Sequence, residues 1–265
     1  MATLTASPDI LSDRMLIEDR LAALLPATGS GAVAKAMRYA VLGPGQRLRP
    51  LLALRVARVL GRGGQGIFQA AEAIELLHCA SLIVDDLPCM DNDAFRRNRP
   101  AVHVKFGEAT AVLAAFALVG LAAKSVADQS CFQVKLLGML DCDSLIGGQA
   151  LDLETDAGCR DNNRLSVAAL KTVPLFQLAA EAGCLAPGVP LREREAALTF
   201  GREFGFAYQT VDDYLDGEIV DLTPVTQQFA SVRTCLDHFG DRARHFEDLL
   251  DHLNAKIWED GRSNR

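Results

Sequence analysis

The chain has 265 residues, 49% apolar and 23% charged, a balance that supports an ordered core and argues against general disorder. A formal net charge of −7 argues against a protein that coats nucleic acid or anionic membrane, because binding a phosphate backbone needs a basic face. Seven cysteines (Cys79, Cys89, Cys131, Cys142, Cys159, Cys184 and Cys235) contain no C-x-x-C pair and no His cluster beside them, so they read as buried thiols in a reducing cytoplasm rather than as a zinc ribbon or disulfide framework.

Along the chain, residues 1–25 carry early acids and no long apolar run, so they do not read as a signal peptide. Helical periodicity rich in Ala, Leu and Glu predicts helices at 16–25, 33–41, 51–60, 67–84, 108–127, 165–182 and 193–215. Breakers separate them: Pro26, Gly43-Pro44-Gly45, the glycines of 61–66, and Pro187-Gly188-Val189-Pro190. The apolar stretch 110–123 falls short of the ~20 residues a membrane span needs and reads as a buried helix. Residues 223–228 read as a loop, followed by one or two amphipathic helices to about Trp258. No alternating strand pattern, fixed repeat or Pro/Ser linker interrupts this, so the expected fold is all-α, one domain over 1–265.

Two segments concentrate acid where an apolar helix ends. The first carries Asp85, Asp86, Asp91 and Asp93; the second carries Asp212, Asp213 and Asp216. Asp212 and Asp216 are i and i+4, about 40° apart round a helix, so they share a face. Pro88 does not sit inside a regular helix, so Asp91 has to reach back toward Asp85 from a turn. Carboxylates this close repel, and apolar flanks make their ionised forms costly. Divalent cations relieve that, and carboxylate oxygens with retained water are what Mg²⁺ prefers. One such cluster alone reads as solvated helix ends; two, each after a long apolar run, point to metal.

Basic residues lie close by. Arg96-Arg97-Asn98-Arg99 follows the first cluster, and Gln46-Arg47-Leu48-Arg49 follows the 43–45 turn. His78 stands two helical turns before Asp85, on the same face. Each alone reads as an ordinary core histidine or a charged surface turn. Beside the acids, guanidinium forks that bind phosphate bidentately suggest a diphosphate held through Mg²⁺.

These residues carry a resemblance. The chain resembles the trans-isoprenyl diphosphate synthases (polyprenyl synthetases), most closely the bacterial geranylgeranyl diphosphate synthases. Asp85-Asp86-x-x-x-x-Asp91 with Arg96-Arg97 looks like the first aspartate-rich motif, and Asp212-Asp213-x-x-Asp216 after Gln209 looks like the second. Gly148-Gln149-x-x-Asp152 and Lys171-Thr172 match two further motifs in the expected order, the whole covering about residues 33–216. The resemblance implies an all-α bundle of long helices round a deep central cavity (the isoprenoid synthase fold), usually a cytoplasmic homodimer. It implies head-to-tail transfer, in which an allylic diphosphate ionises and isopentenyl diphosphate attacks the cation.

Carried onto this sequence, the resemblance makes Asp85, Asp91 and Asp212 ligands of Mg²⁺, three ions with diphosphate bound, supported by Asp86, Asp213 and Asp216. Arg96 is implied at the allylic diphosphate, and Arg49, His78 and Arg97 at isopentenyl diphosphate. Gln46, Arg47, Ser81 and Gln149 complete the substrate-facing set, and Lys171, Thr172 and Gln209 are implied near the allylic diphosphate and developing cation. Relatives stopping at fifteen carbons often carry an aromatic floor at the Ala80 position; Ala80 and the following Ser81 are both small here, which suggests a twenty-carbon product, and helical geometry supports Ser81, one turn beneath Asp85, more clearly than Ala80.

The sequence departs from the family pattern in two places. Gln46 stands where the family usually has Lys, and the stretch 221–228 lacks the usual Lys, leaving Arg233 as a substitute. Two other readings share parts of the pattern. A non-catalytic or weakly active subunit of a heteromeric synthase is opposed by both acidic motifs, Arg96-Arg97 and Lys171. A terpene synthase, which cyclises one prenyl diphosphate, is opposed by Arg49, His78 and Arg97, a site for a second diphosphate.

Overall fold

Helices form throughout the described residues, which are 8–27, 29, 31–155 and 160–260 of the computed structural model. Residues 1–7 and Cys159, on which two of the sequence expectations rest, lie outside them. The first helices are α1 (Pro8–Leu24), α2 (Ala32–Val41), α3 (Leu48–Val59) and α4 (Gln65–Asp85). A two-residue hairpin, β1 (Phe95–Arg96) with β2 (Arg99–Pro100), separates them from α5 (Val102–Phe106), α6 (Glu108–Ser125), α7 (Ser130–Gly138) and α8 (Leu145–Thr155). Then come α9 (Arg160–Lys171), α10 (Val173–Gly183), α11 (Leu191–Leu215), α12 (Thr223–Leu236), a 3-10 segment Asp237–Ala243, and α13 (Arg244–Asp260).

Helix α4 is apolar almost all round, the signature of a helix buried on every side. It packs against α6, α3, α10 and α2. Helix α10 joins α3 to α11, and α12 and α13 close on α11. Phe200 stacks on Phe246 with ring centroids 4.1 Å apart, and Phe176 meets Phe204 edge-on at 5.5 Å, so one aromatic seam ties α10, α11 and α13. All four rings are fully buried, each contributing about 1.5–3 kcal/mol of apolar burial. The core carries paired charges where helices cross: Glu72 meets Arg20, Arg47 meets Glu75, and Asp13 receives Arg58.

Three features of the fold position the site. Helix α4 stops at Asp85 because Pro88 follows, and the Asp91 N–H returns to the Asp85 carbonyl at 2.9 Å, with Asn92 at φ 55° closing the turn. Helices α8 and α9 approach so closely at Gly148 that a Cβ there would lie 2.5 Å from the Lys171 backbone nitrogen. The hairpin turn holds Arg97 and Asn98 at positive φ and lies against the 43–45 turn through Arg97 Nη1, which donates to the Pro44 carbonyl at 2.7 Å.

Several expectations need correction. The stretch 165–182 is two helices, not one, broken at Thr172, because Pro174 lacks an N–H and is tolerated only in a helix's first turn. Residues 223–228 are the first turns of α12 rather than a loop: Pro224 occupies that first turn, and Asp221 Oδ1 accepts the Thr223 N–H at 3.0 Å. Helices α5, α7 and α8 were not anticipated.

The stretch 110–123 lies in α6, a longer helix that is only partly buried. Its small residues Ala111, Ala114, Ala115 and Ala122 pack inward while Leu113 and Phe116 stand 56% and 71% exposed. By length and composition alone α4 and α6 could each cross a membrane; α4's apolar window is two-thirds buried inside this fold.

Candidate active site

One cavity of about 1240 Å³ opens beneath the C-terminal ends of α4 and α11. The structure brings both acidic motifs to it, with Gln46, Arg47, Arg49, His78, Ser81, Arg96, Arg97, Gln149, Lys171, Thr172 and Gln209 on its walls. Asp86 is the exception. It is 2% exposed and turned away, its carboxylate bound by Arg96 Nε at 2.8 Å. Arg96 also reaches Asp93 at 3.2 Å, so Asp86 positions an arginine instead of lining the cavity.

On the acidic wall, the Lys171 ammonium at the end of α9 lies 3.9 Å from Asp85 Oδ2 and 3.9 Å from Asp91 Oδ2, and 2.7 Å from Asp152 Oδ2. Burial, which disfavours the ammonium, is outweighed by Asp85, Asp152 and Asp91, and the Lys171 pKa is raised. Burial lifts the Asp85 carboxyl to about 6 even though Lys171 pulls the other way. Gln149 donates to Asp91 Oδ1 at 3.3 Å. From the break between α9 and α10, Thr172 Oγ1 donates to Gln209 Oε1 at 2.6 Å, and Gln209 Nε2 donates to Asp213 Oδ1 at 2.7 Å. A hydroxyl and an amide are thereby fixed beside the second acidic motif.

Another part of the lining is basic. Arg49 is buried against the rings of Phe176 and Tyr208, its Cζ 4.4 and 5.8 Å from their centroids, and its Nη1 lies 3.3 Å from His78 Nε2. Burial and the guanidiniums of Arg49, Arg97, Arg47 and Arg96 push the His78 pKa well below its ordinary value, so the ring is neutral and can accept from Arg49. Arg47, expected among the substrate-binding residues, is committed to the fold. Its Nη1 reaches Glu75 at 2.9 Å, and its Nη2 donates to the Val41 and Gly43 carbonyls at 2.7 Å each.

Below the charges the cavity is apolar, passing Leu77, Ala80 and Ser81 of α4, Val112, Phe116 and Val119 of α6, and Ile146 and Leu153 of α8. Ser81 Oγ donates back to the His78 carbonyl at 2.9 Å, which removes its polarity from the wall. Ala80 lines the cavity as well as Ser81, although helical geometry had favoured Ser81. Arg233 of α12 does not line it, so it does not stand in for the missing lysine.

Among the described residues no three acidic, His or Cys side chains close round one point. The donors are carboxylates in ones and twos, and the Asp85–Asp91 pair already shares one cationic partner in Lys171. That set fits Mg²⁺, which takes one or two protein carboxylates and completes its shell with water and phosphate oxygens.

The family model of the polyprenyl synthetases matches residues 31–219, which hold both acidic motifs and both walls of this cavity. The chain belongs to the polyprenyl synthetase family. This polyprenyl synthetase is 34% identical to a geranylgeranyl diphosphate synthase of Pantoea ananas over 96% of this chain and 88% of that protein. It is 39% identical to one from Pseudescherichia vulneris over 77% of this chain and 70% of that protein. It is 35% identical to geranylgeranyl pyrophosphate synthase 4 of Arabidopsis thaliana, of whose length it spans 59%. Among solved structures, a geranyltransferase from Legionella pneumophila superposes with a TM-score of 0.81 at 25% identity, covering 97% of this chain and all of that one. An FPP/GFPP synthase from Zymomonas mobilis superposes at 0.80 and 27% identity, covering 92% and 99%.

Sequence reasoning gave Asp152 no role in this polyprenyl synthetase, yet it is the closest carboxylate to Lys171. The signal was present: Asp152 ends the Gly148-Gln149 motif one turn after Gln149, on the face that packs on α9. It also missed Glu75, whose pairing with Arg47 spans 28 residues of sequence.

Proposed function

We propose that the chain is a prenyltransferase that condenses isopentenyl diphosphate with an allylic diphosphate, head to tail, to make geranylgeranyl diphosphate. The observation that carries this reading is the gathering of two unlike groups on the lining of one cavity: Asp85, Asp91, Lys171 and the Asp212 motif, and beside them Arg49, His78 and Arg97, a second place for a diphosphate. A cyclising lyase needs only the first.

Asp85 at the end of α4, Asp91 in the turn after it, and Asp212 near the end of α11 would hold Mg²⁺, which when bound would supply the charge neutralisation that makes diphosphate a leaving group. Lys171 and Arg96 add fixed positive charge to that group. Arg49 and Arg97 hold the second diphosphate, with His78 accepting from Arg49 so that its fork is oriented. The Thr172–Gln209 pair turns oxygen dipoles toward the developing allylic cation without offering a nucleophile strong enough to trap it. Apolar walls from α4, α6 and α8 exclude water from the cation and take the growing chain. The proton released on forming the new double bond goes to the departing diphosphate.

The partners in this reading are small diphosphates and a second copy of the chain. Leu113 of α6, exposed and outside the cavity lining, marks the face of that helix that a second copy would cover. Free thiols at Cys79, Cys89, Cys131, Cys142, Cys184 and Cys235 suit a reducing cytoplasm. The test is product analysis by mass after supplying isopentenyl diphosphate, Mg²⁺ and each allylic primer in turn. A twenty-carbon diphosphate is expected. A hydrocarbon formed from one allylic diphosphate without isopentenyl diphosphate overturns the reading, and so does an absence of product with every primer.

A further inference from the structure

The basic wall is poorer in usable charge than its residue names suggest. Glu75 neutralises Arg47, whose other nitrogen is held by two backbone carbonyls. His78 is neutral among the arginines. Gln46 lines the wall without a charge. A diphosphate of about three negative charges therefore meets two available guanidiniums, Arg49 and Arg97.

A third cation comes from outside the motifs. Arg14, on α1, lines the same cavity as Pro44, Gly45 and Gln46. Its Nε donates to Glu18 Oε1 at 3.1 Å, and that same oxygen lies 3.6 Å from Arg47 Nε, so Arg14 stands one carboxylate away from the wall. Among the described residues nothing hydrogen-bonds its Nη1 or Nη2. An exposed i,i+4 pair of this kind is weak and solvent-screened, so Glu18 orients the fork without sequestering it.

We propose that Arg14 is a binding residue for the second diphosphate, presenting its guanidinium fork to the cavity that the 44–46 turn also lines, where Gln46 brings no charge. This rests on the prenyl-transfer reading. Glu18 is then a positioning residue, holding Nε so that both Nη groups face the phosphate oxygens.

Steady-state kinetics of the full chain test it. Arg14→Gln should raise KM for isopentenyl diphosphate about tenfold and move KM for the allylic substrate less than twofold. Adding Gln46→Lys to Arg14→Gln should bring KM for isopentenyl diphosphate back to within about threefold of the original, a rescue that a merely structural role would not show. An unchanged KM in Arg14→Gln, or no rescue in the double variant, overturns the proposal. Calorimetric titration with inorganic diphosphate in EDTA, where the acidic wall lacks the ion it needs, separates this from the function itself. A Kd weakened about tenfold in Arg14→Gln supports Arg14 even for a chain that consumes no isopentenyl diphosphate, and an unchanged Kd refutes it.

Discussion

Asp152 holds Lys171, carboxylate oxygen to ammonium at 2.7 Å, and so aims it between Asp85 and Asp91, which it reaches at 3.9 Å. A lysine on a flexible stem has many rotamers, and this contact selects the one that faces Asp85 and Asp91. Asp152→Asn keeps the shape and loses the charge. It should lower kcat on the order of 10²-fold, the scale of a misplaced catalytic group, with KM for isopentenyl diphosphate within twofold. A kcat reduced less than threefold would show that Lys171 needs no such guide.

Asp85 works against the fold that carries it. Its carboxyl is raised by burial to about 6 from an ordinary 3.8, so its contribution to stability is full below about pH 4 and is lost as the pH rises through 6. In EDTA at pH 8, Asp85→Asn should therefore raise Tm by about 2–4 °C, with little effect at pH 4. The same variant should lose turnover on the order of 10³-fold. Calorimetry and rate together check this, and a variant both less stable at pH 8 and fully active would contradict it.

In the proposed metal site, proton and metal compete for the Asp85 carboxylate. At pH 5, a unit below the Asp85 value of about 6, half-maximal rate should need about tenfold more Mg²⁺ than at pH 7.5. Mg²⁺ titrations of the rate at the two pH values measure it, and identical midpoints would remove Asp85 from the metal site.

The depth of the apolar cavity sets the chain length in the proposed reaction. Ala80→Phe or Ser81→Phe places a ring across the passage between α4 and α6 and should shift the main product from twenty carbons to fifteen, read by mass. Unchanged length in both would move the floor elsewhere in the cavity.

Much of the site was legible because its chemistry is local. The acids at 85–91 and 212–216 declare themselves by spacing, and Pro88 dictates that Asp91 folds back to Asp85. The parts that were not legible depend on helix–helix contact. Helix α8 opens with Leu145-Ile146-Gly147-Gly148, and Gly148 is there because α9 passes too close for a side chain. The break at Thr172 was hidden by a periodicity that continues across it; Pro174 alone is ambiguous, since it can kink a helix or begin one. Arg47 looked like a phosphate ligand beside Arg49, and only the packing of α3 on α4 brings it to Glu75. Arg14 lay outside every motif.

The ammonium of Lys171 between Asp85 and Asp91 has a further consequence. In the proposed site a divalent ion arriving alone would displace a counter-charge that the two carboxylates already have, leaving the ammonium to Asp152 at 2.7 Å. An ion arriving with a diphosphate would bring oxygens that Lys171 can turn to, so ion and substrate would stabilise each other's binding. Such linkage is reciprocal: diphosphate would tighten Mg²⁺ by the same factor that Mg²⁺ tightens diphosphate. The lysine would then favour loading of the two together over either alone.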